Sequence, residues 1–151
     1  MANMKILLVD DEKEFVTTLS ERLEMRDLAN ETAYNGEQAL RSVDKTEPDV
    51  LVLDLKMPGM DGIEVLSQVK KKFPEIRVIM LTGHGTILDE EEARRIGIFD
   101  YLKKPVDIEQ LVTCIKGAYQ DKIQNSMAAA AFAEAGEHDM AQRFLHRGKN
   151  K

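Results

Sequence analysis

Cysteine is nearly missing: the only one in 151 residues is Cys114, so no internal disulfide can form. Its place in an apolar helical pattern predicts a buried small hydrophobe. No apolar run approaches the roughly 20 residues of a membrane span. The first run, Ile6-Leu7-Leu8-Val9, is too short for a signal-peptide core before Asp10-Asp11-Glu12, so a cytoplasmic location is the expectation. No Gly-rich phosphate loop follows that run, which argues against a dinucleotide-binding enzyme. No period recurs along the chain, which argues against a repeat architecture. Basic excess is absent too: a formal net charge of -6 and a pI near 5.2 weigh against a general nucleic-acid-binding surface. What is present is a globular composition, 43% hydrophobic and 32% charged, in a chain long enough for one domain with a full core plus an appendage.

The most informative stretch runs from Pro48 to Gly62, an unbroken apolar segment Val50-Leu51-Val52-Leu53 that ends in Asp54. Aliphatic residues without polar alternation predict a strand covered on both faces, the habit of a parallel sheet between helices. Pro58, Gly59 and Gly62 then break regular structure, so Asp54 should face an open loop at the strand's carboxyl end, where open α/β sheets bind ligands.

Around it the chain alternates. Met4 to Val9 reads as a strand, and Glu12 to Arg26 as a helix with Phe15, Leu19 and Leu23 inward. A weak strand over Asn30 to Tyr34 leads to a helix over Glu37 to Lys45, with Ala39, Leu40 and Val43 inward. After the Asp54 strand, Ile63, Leu66, Val69 and Phe73 mark the next helix, which Pro74 stops. Ile76 to Leu81 is the fourth strand, Asp89 to Arg95 an acidic helix, and Ile98 to Leu102 the fifth strand. A last helix starts near Asp107 and packs through Leu111, Ile115 and Ala118. Five strand-helix alternations imply an α/β, doubly wound parallel sheet with helices on both faces.

The chemistry converges at the strand ends. Asp10 and Asp11 follow the first strand as Asp54 ends the third, so neighbouring strands would bring three mutually repelling carboxylates to one patch. A hard cation such as Mg²⁺, held by oxygens, relieves that repulsion. Thr82 supplies a hydroxyl and Lys104 a point charge, which together suit phosphoryl transfer to a carboxylate. Taken singly, each residue has a plainer reading: an acidic pair is often a helix cap and a lone Thr before Gly a loop hydroxyl.

From Met4 to about Tyr119 the sequence resembles the receiver domain of two-component response regulators, through the acidic pair, Asp54 before Met57-Pro58-Gly59-Met60-Asp61-Gly62, Thr82, Tyr101 and Lys104-Pro105. The resemblance implies a flavodoxin-like five-stranded sheet in order 2-1-3-4-5. It makes Asp54 the phosphoacceptor, Asp11 a direct Mg²⁺ ligand with Asp10 supporting through water, and the Lys56 backbone carbonyl the third protein ligand. Thr82 would bind the phosphoryl oxygen, Lys104 would bridge phosphoryl group and carboxylate, and Tyr101 would be the aromatic switch, against the plainer reading of a core aromatic. A cis Lys104-Pro105 bond is implied as well. Lys56 and His84 fall at the two positions that tune phosphate lifetime.

The resulting expectation is a phosphoacceptor signalling protein, not an enzyme with turnover. It takes its phosphoryl group from a histidine kinase and signals by protein contact. An alternative is a phosphorelay intermediate or phosphate sink that exchanges with a histidine phosphotransfer protein. A Mg²⁺-dependent aspartyl-phosphate phosphatase fits worse, because that family wants a second Asp where this chain has Lys56. No DNA binding is expected, since the residues after Tyr119 are too few for a winged helix. The division read from composition is a receiver domain over 1–121 and a helical extension over 122–151. The extension begins with Met127 to Ala135, breaks at Gly136 and continues as a second short helix over Asp139 to His146 through Met140, Phe144 and Leu145. His138 and His146 are too far apart in sequence for a metal pair. A homodimer would use either the face of the fourth helix and fifth strand or this extension.

Overall fold

A computed structural model of the chain describes residues 3–134. The strands are β1 (Ile6–Val9), β2 (Asn30–Ala33), β3 (Val50–Leu53), β4 (Arg77–Thr82) and β5 (Asp100–Lys103). The helices are α1 (Lys13–Glu24), α2 (Gly36–Thr46), α3 (Gly62–Lys72), α4 (Ile87–Ile96) and α5 (Ile108–Glu134). All pairings are parallel and the sheet order is β2-β1-β3-β4-β5, as expected.

Alternate residues of the same strands feed two separate cores. Leu7, Val9, Leu51, Leu53, Val78 and Met80 pack against Ala39 and Val43 of α2, Val65, Leu66 and Val69 of α3, and Ala93 of α4. Ile6, Leu8, Val50, Val52, Ile79 and Leu81 pack against Val16, Leu19 and Leu23 of α1 and Leu111, Ile115 and Ala118 of α5. The period of two along each strand thus serves both faces at once, which is why the central strands read as continuous apolar runs.

Several boundaries shift for identifiable reasons. Helix α4 starts at Ile87, ahead of the expected Asp89, because Thr86 and Asp89 close a reciprocal capping box. Strand β5 pairs from Asp100, two residues later than expected. On α1 the buried stripe is Val16, Leu19 and Leu23, while Phe15 is only partly buried. Cys114 is half-buried instead of fully buried, its Sγ 3.8 Å from Asp100 Oδ2, and burial pushes its thiol up to about 12.

Helix α5 is continuous across the expected division at 121/122 and spans 27 residues, about 40 Å at the usual rise. Asp121 pairs with Arg77 at 2.8 Å, and Lys122 with Asp49 at 2.5 Å, so this part of the helix is tied to the sheet. The second tail helix, with Gly136, Met140, Phe144, Leu145 and His146, lies outside the described residues.

Candidate functional site

The parallel register brings the key side chains together. Val9 stands opposite Leu53, so the residues that follow, Asp10 and Asp54, leave the sheet side by side. Asp54 N donates to Val9 O at 3.0 Å and Asp10 N to Ala33 O at 3.1 Å, which extends the ladder one residue past each strand. Thr82 pairs with Lys103, which places Thr82 and Lys104 at the same edge.

Asp54 is 2% exposed and Thr82 1%. One Asp54 oxygen, Oδ1, is buried without a hydrogen-bond partner. Lys104 Nζ reaches three carboxylates: Asp10 Oδ2 at 2.6 Å, Glu12 Oε1 at 3.0 Å and Asp54 Oδ2 at 3.8 Å. It also lies over the Phe15 ring, 4.2 Å from the centroid, a cation–π contact. Burial works to lower the Lys104 pKa, but the hydrogen bonds to Asp10 and Glu12 and the Asp54 charge prevail and hold it above its ordinary value. For Asp10, burial raises the pKa, the Asp54 charge adds to that, and Lys104 only partly offsets them.

The site therefore has more negative charge than one ammonium can neutralise. Asp10, Glu12 and Asp54 each place a carboxylate oxygen within 4.8 Å of the other two. With the orphaned Asp54 Oδ1 beside them, this donor set fits a hard, oxygen-seeking cation. Asp11, expected as the direct ligand, is not in that cluster. Glu12 stands there instead, and Asp10 Oδ1 accepts Glu12 N at 2.9 Å in a turn ahead of α1, whose N-cap, Glu12, makes no side-chain capping bond.

The rim is shaped by backbone. Gly62 N donates to Leu55 O at 2.7 Å, and a Cβ at Gly62 would collide with the Asp54 carbonyl oxygen. The sequence marks Gly62 as a chain breaker; the structure shows that it also lets α3 start directly against the backbone of Asp54 and Leu55. Lys104-Pro105 is cis. Thr82 Oγ1 accepts His84 N at 3.2 Å, which ties the exposed His84 to the site through its backbone. Lys56 points instead toward α4, 3.7 Å from Asp89 Oδ2. Tyr101 is 8% exposed, and its hydroxyl is buried without a partner. Burial raises its pKa, helped by the charges of Asp89, Glu90 and Asp54.

Two contributors escaped the sequence reading, Glu12 and Phe15. Glu12 reads in the sequence only as the first residue of an amphipathic helix, and Phe15 only as part of its inward stripe. Both were hidden because Lys104 reaches Glu12 from 92 positions away in sequence.

The response regulator receiver domain profile matches residues 6–116. Over 116 residues the chain is 39% identical to sporulation initiation phosphotransferase F of Bacillus subtilis (strain 168), covering 77% of this chain and 94% of that protein. It is 36% identical over 122 residues to the DNA-binding transcriptional regulator NtrC of Escherichia coli (strain K12), covering 79% of this chain but only 26% of NtrC. A solved response regulator receiver domain protein from Clostridium thermocellum superposes with a TM-score of 0.76 at 34% identity, over 80% of this chain and 98% of that one. The acidic pocket at the carboxyl ends of β1 and β3, the strand order and these matches agree: the chain belongs to the response regulator receiver domain family.

Proposed function

We propose that this protein is a cytoplasmic response regulator that accepts a phosphoryl group on Asp54 from the phosphohistidine of a histidine kinase and signals through protein contact. The observation that carries this reading is the orphaned, buried Oδ1 of Asp54 among Asp10, Glu12 and Lys104. A carboxylate oxygen left without a donor is desolvated and available as a nucleophile. In the transfer, an Asp54 oxygen attacks phosphorus, the new P–O bond forms as the donor's P–N bond breaks, and the imidazole departs. Lys104 moves from Asp10 and Glu12 toward the incoming charge. The Thr82 oxygen accepts from His84 N and leaves its own hydrogen to donate to a phosphoryl oxygen. Mg²⁺, which would be held by Asp54, Asp10 and the Asp11–Glu12 turn with the Lys56 carbonyl, supplies the charge neutralisation that phosphoryl transfer needs.

Signalling would follow from the loop after Thr82, with Tyr101 as its aromatic partner and the face of α4 and β5 as output surface. Ile87 and Leu88 there are 78% and 75% exposed. That face or the extension from residue 122 would also carry any homodimer.

The test is incubation with Mg²⁺ and a small phosphodonor, following label and particle size together. Label on the wild type and none on Asp54→Ala is expected; equal labelling of both would remove Asp54 from its role. A second reading, a relay that passes its phosphoryl group to a histidine phosphotransfer protein, is favoured by the 39% identity to a relative named as a phosphotransferase. Slow spontaneous decay with reversible transfer would distinguish it.

A further inference from the structure

Gly59 and Gly97 take positive φ values of 78° and 122°, which explains glycine at those positions. Gly85, between β4 and α4, has no such positive φ, so the left-handed region is not what calls for glycine there. Space is what bars a side chain there. A Cβ built on Gly85 would fall on the Tyr101 hydroxyl, and it would stand 3.1 Å from the ring Cζ and 3.2 Å from Leu55 Cδ2. That hydroxyl is buried and bonded to nothing. A polar atom in such a place is costly, so the inward ring is held by shape and not by a hydrogen bond.

We propose that Gly85 is the positioning residue of Tyr101: the missing side chain creates the space in which the ring stands inward, and a side chain at this position drives the ring out to solvent. The consequence for signalling rests on the proposed switching role of Tyr101. The placement itself does not. Because Gly85 lies three residues after Thr82, a shift of the Thr82 loop moves the wall of the Tyr101 cavity directly. The loop is tied at both sides, by His84 N on Thr82 Oγ1 at 3.2 Å and by the Thr86–Asp89 capping box with a bond of 3.1 Å, so movement of one end is carried to the other.

The chain has three tyrosines and no tryptophan, so Tyr34→Phe with Tyr119→Phe leaves Tyr101 as the only strong intrinsic fluorophore. In that background, acrylamide quenching should be weak with Gly85 and rise several-fold with Gly85→Ala. Unchanged quenching would overturn the proposal. Folding is controlled by thermal melts of Gly85→Ala with and without Tyr101→Phe. The melting loss from Gly85→Ala should shrink markedly when Tyr101→Phe removes the colliding hydroxyl, and an equal loss in both backgrounds would also overturn it. Phosphodonor labelling of the wild type is run in parallel. Failure there would overturn the phosphoacceptor reading alone, because the quenching experiment uses no phosphate.

Discussion

The two edges of the one sheet treat charge in opposite ways. At the amino edge, Asp49 accepts Lys5 N at 2.8 Å on one oxygen and Lys122 Nζ at 2.5 Å on the other. Arg77 donates to Asp121 at 2.8 Å and to Glu75 O at 2.9 Å, and Lys70 donates to Pro74 O at 3.0 Å and Ile76 O at 2.9 Å. A cleft of about 300 Å³ opens at this edge beside Lys5, Asn30, Thr46 and Pro48, yet no unpartnered buried polar atom lines it among the described residues. At the carboxyl edge, three carboxylates share one ammonium, and the two buried side-chain polar atoms left without partners among the described residues, Asp54 Oδ1 and Tyr101 Oη, both lie there. Satisfied polar groups hold a fold together, and unsatisfied ones mark where it has work to do.

The contrast can be broken by exchanging what is removed. The largest effect is expected from Asp54→Asn, which should abolish labelling by a phosphodonor while raising stability by about 1 kcal/mol, since it removes a buried charge from a repulsive cluster. Denaturant titration beside the labelling assay checks both halves; a marked loss of stability would place Asp54 with the structural charges. The mirror experiment is Asp49→Ala. It should cost about 1–3 kcal/mol, because Lys122 loses its partner and Lys5 N its acceptor, and should leave labelling at wild-type level. Impaired labelling would mean the two edges are coupled.

Lys70 sharpens the comparison through pH. Burial, with the nearby Arg77 charge, lowers its pKa from 10.5 to about 8. Between those values the unfolded chain binds the proton and the folded one has released it, so stability should rise as pH climbs from about 8 to 10.5. Urea midpoints across that window should lose the rise in Lys70→Met; an unchanged slope would assign it to other groups. The smallest effect belongs to Lys56→Ala. Its pair with Asp89 is solvent-exposed, so stability should fall by less than about 1 kcal/mol. The decay rate of the phosphorylated protein should nevertheless change, because Lys56 stands two residues past Asp54 and, on leaving Asp89, its side chain would reach the path of attacking water. Decay at the wild-type rate would leave Lys56 as a rim residue only.

Much of this was legible in the chain. The runs Ile6–Val9 and Val50–Leu53 and the apolar stretch of Arg77–Thr82 are short and end in polar or Gly-containing segments, so strands and their carboxyl ends could be placed, and with them Asp10, Asp54 and Thr82. The polar edge strand Asn30–Ala33 carried a faint signal because only one of its residues, Ala33, is buried. The division after 121 followed a composition shift, which does not register that α5 runs on as one helix.

By itself, the sequence determined the alternation of elements and which chemical groups end each strand, because both depend on local periodicity and on breakers. Only the tertiary structure decided how those groups are partnered. Glu12 in place of Asp11 within reach of Lys104, Phe15 beneath its ammonium and Gly85 against the Tyr101 hydroxyl all depend on contacts between segments far apart in the chain. Charge balance and free space are properties of neighbours in three dimensions, and no spacing along the chain encodes them.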